Sequence, residues 1–423
     1  MPRFKKLDRD IDNDILIVGG GICGIMCAYM LDALGVDYTL IEAETVCGGV
    51  TCNTTAKITS QHGLIYSDLI KKFGVEKAKL YLEANESAIQ RYRELCKNID
   101  CDFEDKDSYV YSLDDEEKIR EEISALSKLN YKAEFVKELP LPFKVAGAVK
   151  FKNQAQFNPL KFAKNICENL NIYENTKLLE LVGTKAVTSG GTVNAKKIII
   201  ATHFPFLNKH GGYFIKMYQR RSYVIAVKNA PNPDGMFIDE ATDGLSFRTY
   251  KDLLLIGGGG HRTGKKGGNW RELRDFTAKY YKNCPEKYYW ATQDCMTLDK
   301  VAYIGEYSSG TQNLYVATGF NKWGMTSSMV AACILSDLVQ GKENKYSSVF
   351  SPSRSILHPQ LISNMFSAIG GLLTPSLKRC PHLGCALKWN PQERSWDCPC
   401  HGSRFTENGK LINNPATDDL KTK

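Results

Sequence analysis

Residues Ile15-Leu16-Ile17-Val18 form an unbroken apolar run, the mark of a strand buried on both faces. Apolar positions then recur at helical spacing from 25 to 34 until Gly35 stops them, and a second strand-like run, Tyr38-Thr39-Leu40-Ile41, ends at Glu42. Helical spacing returns over 64–95, through Leu69, Phe73, Leu80, Ala84, Ala88, Tyr92 and Leu95, and a charged helix is expected over 114–129. Asn158 before Pro159 reads as the cap and first turn of a helix to 170. Short apolar or alternating runs at 223–227, 236–238, 245–250 and 253–256 predict antiparallel strands. Runs at 196–202 and 313–320 predict two more strands, the second followed by a helix to 339. Residues 346–374 have no steady period and predict a connector with one helical piece around 361–369. The whole reads as an α/β chain with an antiparallel insertion.

At 423 residues the chain has room for two or three domains. No apolar run is long enough for a membrane span, and no apolar signal core precedes the first strand. The net charge is +8, but Lys and Arg are dispersed among acids, so no nucleic-acid surface is expected. Ten of the 14 cysteines are scattered, which suits free thiols in a cytoplasmic protein.

The first glycines carry chemistry. Gly19-Gly20-Gly21-Ile22-Cys23-Gly24 lies between strand and helix. Gly19 permits a tight turn, Gly21 lets backbone approach a pyrophosphate, and Gly24 lets helix and strand pack closely. The helix N-terminus favours phosphate charge, and Glu42 is placed to accept from ribose hydroxyls. Strand, glycines, helix and acid together predict a dinucleotide site.

The C-terminal stretch carries more. Cys380-Pro381-His382 and Cys398-Pro399-Cys400-His401 give two thiolates and two imidazoles in paired loops, a donor set for a two-iron cluster. A structural zinc site is the competing reading. It has no use for Cys385, Cys400 or the following Gly402-Ser403. The stretch resembles the disulfide-bridged Rieske signature. That resemblance implies a [2Fe-2S] cluster with Cys380 and Cys398 on one iron, His382 and His401 on the other, and a Cys385–Cys400 disulfide. It also implies that the Ser403 hydroxyl donates to a bridging sulfide. Phe405 departs from the tyrosine of high-potential members, which implies a potential below the top of the range.

Residues 43–59 resemble the loop of glutathione-reductase-type flavoproteins that runs from the pyrophosphate toward the flavin. With Ile200-Ala201-Thr202, Tyr303-Ile304-Gly305 and Ala317-Thr318-Gly319, they resemble the D-amino-acid oxidase-like FAD-dependent oxidoreductases over about 10–345. The resemblance implies a glutathione-reductase-type FAD-binding fold with an inserted mixed or antiparallel substrate sheet, followed by a small all-β Rieske module. The expected divisions are an oxidoreductase body over 1–345, a connector over 346–375 and the cluster module over 376–423. Within the body, FAD-binding parts are expected at about 10–100, 145–210 and 296–345, and substrate parts at about 101–144 and 211–295. Strands for a larger Rieske base are not visible in the sequence. Expected FAD contacts are Gly19, Gly21, Gly24, Glu42, Gly49, Thr55, Lys57, Thr202, Gly319, Gly324, Met325 and Thr326.

Candidate catalytic residues are Lys57, His261 and Arg248. Lys57 is also a fair phosphate contact or surface lysine, His261 and Arg262 a fair solvent-facing pair, and Arg248 either a carboxylate clamp or a water-facing side chain. His62 is read as meeting the flavin edge or capping a helix, and Cys47 with Cys52 as a redox pair or as two structural thiols. Gly257–Gly260 lacks the Lys-Ser/Thr of a phosphate loop. The expected function is a dehydrogenase acting on a small amine, amino acid or hydroxy compound, with FAD passing single electrons through the cluster to an external acceptor. An electron-transfer protein or redox sensor without its own substrate is the alternative, and flow in the reverse direction fits the same residues.

Overall fold

A computed structural model describes residues 1–207, 210–355, 361, 364 and 370–421. Three sheets organise them. The first has eight strands. At its centre Ile11–Val18 runs parallel to Gly191–Ile200 on one side and Tyr38–Ile41 on the other. Leu314–Thr318 and Ile172–Tyr173 extend the parallel set. Ile15, Leu16, Ile17 and Val18 are all buried, as a strand covered on both faces requires. The helix Ile22–Ala33 follows directly and shares one core with the apolar helix Gly324–Val339. The first of these helices packs close on the strand and turn before it because Gly24 has no side chain: a Cβ there would stand 1.9 Å from the Gly19 carbonyl oxygen.

The second sheet has nine strands, antiparallel except where Met236–Asp239 runs beside Glu104–Ser112. Its far side is built from Ser246–Tyr250, Leu253–Arg262, Met217–Lys228 and Glu286–Thr297. It also takes in Gly147–Gln156, which the sequence reading gave to the FAD-binding part; pairing with Glu104–Ser112 draws that strand away. The long helix is Tyr66–Cys96, broken at Gly74, whose φ of +81° suits glycine. Asp115 caps Glu116–Lys128 by accepting from the Lys118 N–H. Asn158 caps Pro159–Ile166 as expected, although that helix stops short of 170.

The third sheet is the small all-β cluster module that was expected, with strands that the sequence itself did not show. Lys388–Asn390, Ser395–Asp397, Arg404–Thr406 and Leu411–Asn413 form a four-stranded antiparallel base. Each strand has three residues, too short for alternation to register. The helical piece expected around 361–369 lies largely outside the described residues.

Candidate active site and cluster centre

The dinucleotide cradle is formed by backbone. Gly19 has a φ of +112°, and a Cβ on it would meet the Ala201 carbonyl at 2.6 Å. Glu42 accepts the N–H of Gly20 at 2.7 Å and of Glu44 at 2.9 Å, so its carboxylate braces the glycine turn. Thr51, which sequence reasoning did not single out, takes the N–H of Ile22 on its hydroxyl at 3.0 Å, at the mouth of the helix. Gly49 is exposed and Thr55 half-buried on the loop beyond. Gly319 has a φ of +69° and leaves no room for a side chain against Thr297.

His62 joins the cradle's two halves. Its Nε2 donates to the Thr59 carbonyl at 2.8 Å and lies 3.0 Å from Thr326 Oγ1, its Nδ1 accepts from Tyr81, and its ring stacks on Trp323. Burial pushes its pKa down to about 3, so it acts as a neutral brace. Met325 is buried, and its carbonyl accepts from Tyr92. Gly324 begins the helix whose N-terminus this network holds.

Beside the cradle stands a group of charged side chains from four segments. Arg248 is 3% exposed and donates to the carbonyls of Ala56 at 3.1 Å and Phe157 at 3.4 Å. Its Nε has no partner, and it pairs with no carboxylate, among the described residues. The Ala56 contact sets Arg248 next to Lys57. Burial first, then Arg248 and Lys322, push the half-buried Lys57 amine down to about 7. The Asn321 N–H donates to the Cys295 carbonyl at 3.0 Å, which brings Lys322 beside Asp294. Desolvation raises the Asp294 carboxyl, with Lys322 and Arg221 opposing. Sequence reasoning gave no role to Lys322, although it stands between Gly319 and Gly324, nor to Asp294, which lies in no marked motif.

His261 and Arg262 stand elsewhere. His261 stacks on Tyr223 at 5.8 Å, and Arg262 donates to the Cys400 carbonyl at 3.3 Å. Both serve the seam with the cluster module. Cys47 and Cys52 are free, one buried and one exposed, and the Cys52 thiol turns to the Gly49 carbonyl.

The cluster loops have the donors a two-iron centre needs. Cys380, Cys398 and His401 are buried and His382 is half-exposed; the two imidazole rings lie 5.0 Å apart. Burial holds the pKa of His382 near 4 and of His401 near 3, so both rings are neutral, as metal ligation requires. His401 Nδ1 is buried with no partner among the described residues. The two thiols interact: Cys398 first, and then, against burial, the Ser403 hydroxyl and the N–H groups of His382 and Leu383 hold Cys380 down to about 7. Cys385 and Cys400 are joined as a disulfide. Phe405 is fully buried among Cys380, Cys385, Cys398 and Cys400.

The module is seated on the nine-stranded sheet. Glu393 accepts from Arg221 at two points, from Tyr223 at 2.9 Å and from Arg404 at 2.9 Å. Gln219 donates to the carbonyls of His401 and Asn414, and Gln293 donates to that of Gly402. Asn414 in turn donates to the carbonyls of Thr202 and Phe204, at the end of the cradle strand. His203, between those two, has a φ of +67° and a buried Nε2 with no partner among the described residues. Gln219, Arg221, Gln293, Glu393, Arg404 and Asn414 were not singled out from sequence.

A glycine cradle with a strand-turn-helix entry, joined to a thiolate–imidazole centre, defines a flavin-dependent oxidoreductase carrying an iron–sulfur module. Residues 14–338 match the FAD dependent oxidoreductase family and residues 365–423 match the Rieske [2Fe-2S] domain; the chain belongs to the first family and carries the second at its C-terminal end. It is similar along its whole length to YhfW of Bacillus subtilis (strain 168), named as a Rieske 2Fe-2S iron-sulfur protein: 37% identity over 487 aligned positions, covering 100% of this chain and 95% of that one. Glycine oxidase from Geobacillus kaustophilus shares the body's fold, with TM-score 0.67, 18% identity, and coverage of 81% of this chain and 99% of that one. L-proline dehydrogenase from P. horikoshii does so with TM-score 0.68, 18% identity, and coverage of 83% and 98%. FAD and a [2Fe-2S] cluster are therefore the cofactors, and the glycine cradle and the four buried or half-buried donors fit them. Among the described residues no helix is long and apolar enough to cross a membrane.

Proposed function

We propose that the protein is a dehydrogenase that takes hydride from a small amine, amino acid or hydroxy compound and delivers the electrons singly, through its cluster, to an external acceptor. The observation that carries this reading is the seating of His401, which is 4% exposed and packed against Phe214 and Gln219 of the oxidoreductase body. An internal outlet for electrons favours dehydrogenation over direct reaction with oxygen. Bound FAD supplies hydride acceptance and the cluster one-electron transfer.

The protein's own groups position the substrate. Arg248, buried without an acid partner, is suited to a substrate carboxylate. Lys57, with its amine near neutrality, is suited to hold or release a proton beside the reacting carbon. Asp294, beside Lys322, is suited to a substrate amine. The buried guanidinium also favours an enzyme over a carrier that has no substrate of its own.

Anaerobic mixing with a panel of amines, amino acids and hydroxy acids tests this. Flavin bleaching by at least one carboxylate-bearing member is expected. Rapid turnover with oxygen that persists unchanged after loss of the cluster would overturn it.

A further inference from the structure

The seam between cradle and cluster is crossed by one unbroken series of hydrogen bonds. Asn414 Nδ2 donates to the Thr202 carbonyl at 2.8 Å and the Phe204 carbonyl at 3.0 Å. Gln219 Nε2 donates to the Asn414 carbonyl at 2.9 Å and to the carbonyl of His401, a cluster ligand, at 2.8 Å. Gln219 cannot turn away. Gln293 Nε2 donates to its Oε1 at 2.6 Å and to the Gly402 carbonyl at 2.8 Å, and Thr263 holds Gln293 in turn at 2.9 Å. Gly402 presses on it so closely that a Cβ there would stand 2.6 Å from Gln219 Cβ. Gln219 and Gln293 are each 1% exposed.

The two amides satisfy the backbone carbonyls of His401, Asn414 and Gly402, which an apolar pair of the same shape would leave without donors. In doing so, together with Asn414, they join the cradle strand end to one cluster ligand by direct hydrogen bonds. The two imidazoles differ accordingly. His401 is buried against the body, whereas His382 is half-exposed beside Leu383, which is 41% exposed.

We infer that electrons enter the cluster at His401 by way of Thr202, Asn414 and Gln219, with Gln219 as the positioning residue, and leave from the His382 side. The inference rests on the dehydrogenase reading above. Each passage moves one electron: the reduced flavin loses one and one ferric ion of the cluster becomes ferrous. An external one-electron acceptor then reoxidises that iron before the second electron follows, and the flavin's proton passes to water.

The test uses the complete holoprotein and needs no substrate. The flavin is photoreduced anaerobically in the parent, Gln219→Leu and Asn414→Ala proteins. Cluster reduction is followed by absorbance, and the g-values and midpoint potential of the cluster are measured separately. The expected result is cluster reduction slowed at least tenfold in both variants, with g-values, potential and flavin photoreduction rate as in the parent. Unchanged rates in both variants overturn the route. Slowing accompanied by altered g-values or potential in both also overturns it, because the residues then only hold the module in place. A parent protein whose reduced flavin never reduces its cluster contradicts the dehydrogenase reading itself, a failure distinct from that of the route.

Discussion

Arg221 of the nine-stranded sheet and Glu393 of the cluster module form a two-point ion pair in the protein interior, with side chains 4% and 9% exposed. Glu393 serves Arg404 and Tyr223 as well, and with Asp397 on Arg404 two carboxylates balance two buried guanidiniums. Removing one member of such a group leaves charge without compensation, at about 3–5 kcal/mol. Glu393→Gln is expected to lower the stability of the holoprotein by that order in chemical denaturation, and to expose the module to limited proteolysis at its junction with the body. A loss below about 0.5 kcal/mol, typical of a surface substitution, would contradict the buried role.

The same carboxylate sets an acid limit. Burial pushes the Glu393 pKa up, but Arg221 and Arg404 outweigh it and hold the carboxyl below its usual value. A depressed carboxyl stabilises the fold fully above the unfolded value of about 4.3, and the contribution is lost as pH falls through the folded value. Module docking is therefore expected to hold above pH about 4.3 and to weaken below it. Glu393→Gln should remove this part of the pH dependence in denaturation curves.

Lys57 gives the opposite end of the scale. Burial, then Arg248 and Lys322, take its amine down to about 7. For a lysine with a lowered pKa, the contribution to stability is complete above the unfolded value of about 10.4 and is lost as pH falls toward 7. Lys57→Met should flatten that slope in the flavin-free protein. In the holoenzyme it should remove a kinetic limb near pH 7 from the reductive half-reaction and slow it about 100-fold, the scale of a lost acid–base group. A limb that survives unchanged assigns proton handling to another residue.

Arg248→Lys keeps the charge and loses the planar fork. It is expected to raise the dissociation constant of a carboxylate-bearing substrate or competitive inhibitor by about 30-fold or more, as for a charge-assisted bond of about 2 kcal/mol. Amines without a carboxylate should be little affected, and inhibitor titration of the bound flavin's spectrum reads both. Equal weakening of both ligand classes would place Arg248 in the cradle's framework, where its bonds to Ala56 and Phe157 already lie.

Phe405 packs among the cluster cysteines without a hydroxyl. Phe405→Tyr is expected to raise the midpoint potential by about 60 mV, the one-electron equivalent of one hydrogen bond of about 1.4 kcal/mol. Protein-film voltammetry or redox-poised spectra would show it.

What the sequence disclosed follows from locality. The cradle glycines and the Cys/His loops act through neighbours in the chain, so residue type and spacing carry their chemistry. The seam does not work that way. Gln219 meets His401 across 182 positions and Asn414 across 195, and amides carry no positional signature. Lys322 and Asp294 become chemical only when the Asn321 N–H reaches Cys295. The strand Gly147–Gln156 shows the same limit, because its apolar pattern fits either sheet and only its partner decides. His261 followed four glycines that suggested a pocket, yet strand pairing with Arg221 turns it to the cluster module.

In the proposed dehydrogenase, flavin and cluster form one circuit. Rapid freeze-quench of the holoenzyme with a substrate that bleaches its flavin, reading flavin absorbance and the paramagnetic signal of the reduced cluster on the same time base, tests it most directly. The expected result is flavin bleaching first and a reduced-cluster signal growing in behind it, up to one electron per cluster. Flavin that bleaches and stays reduced beside an oxidised cluster, under conditions where dithionite reduces both, would contradict it.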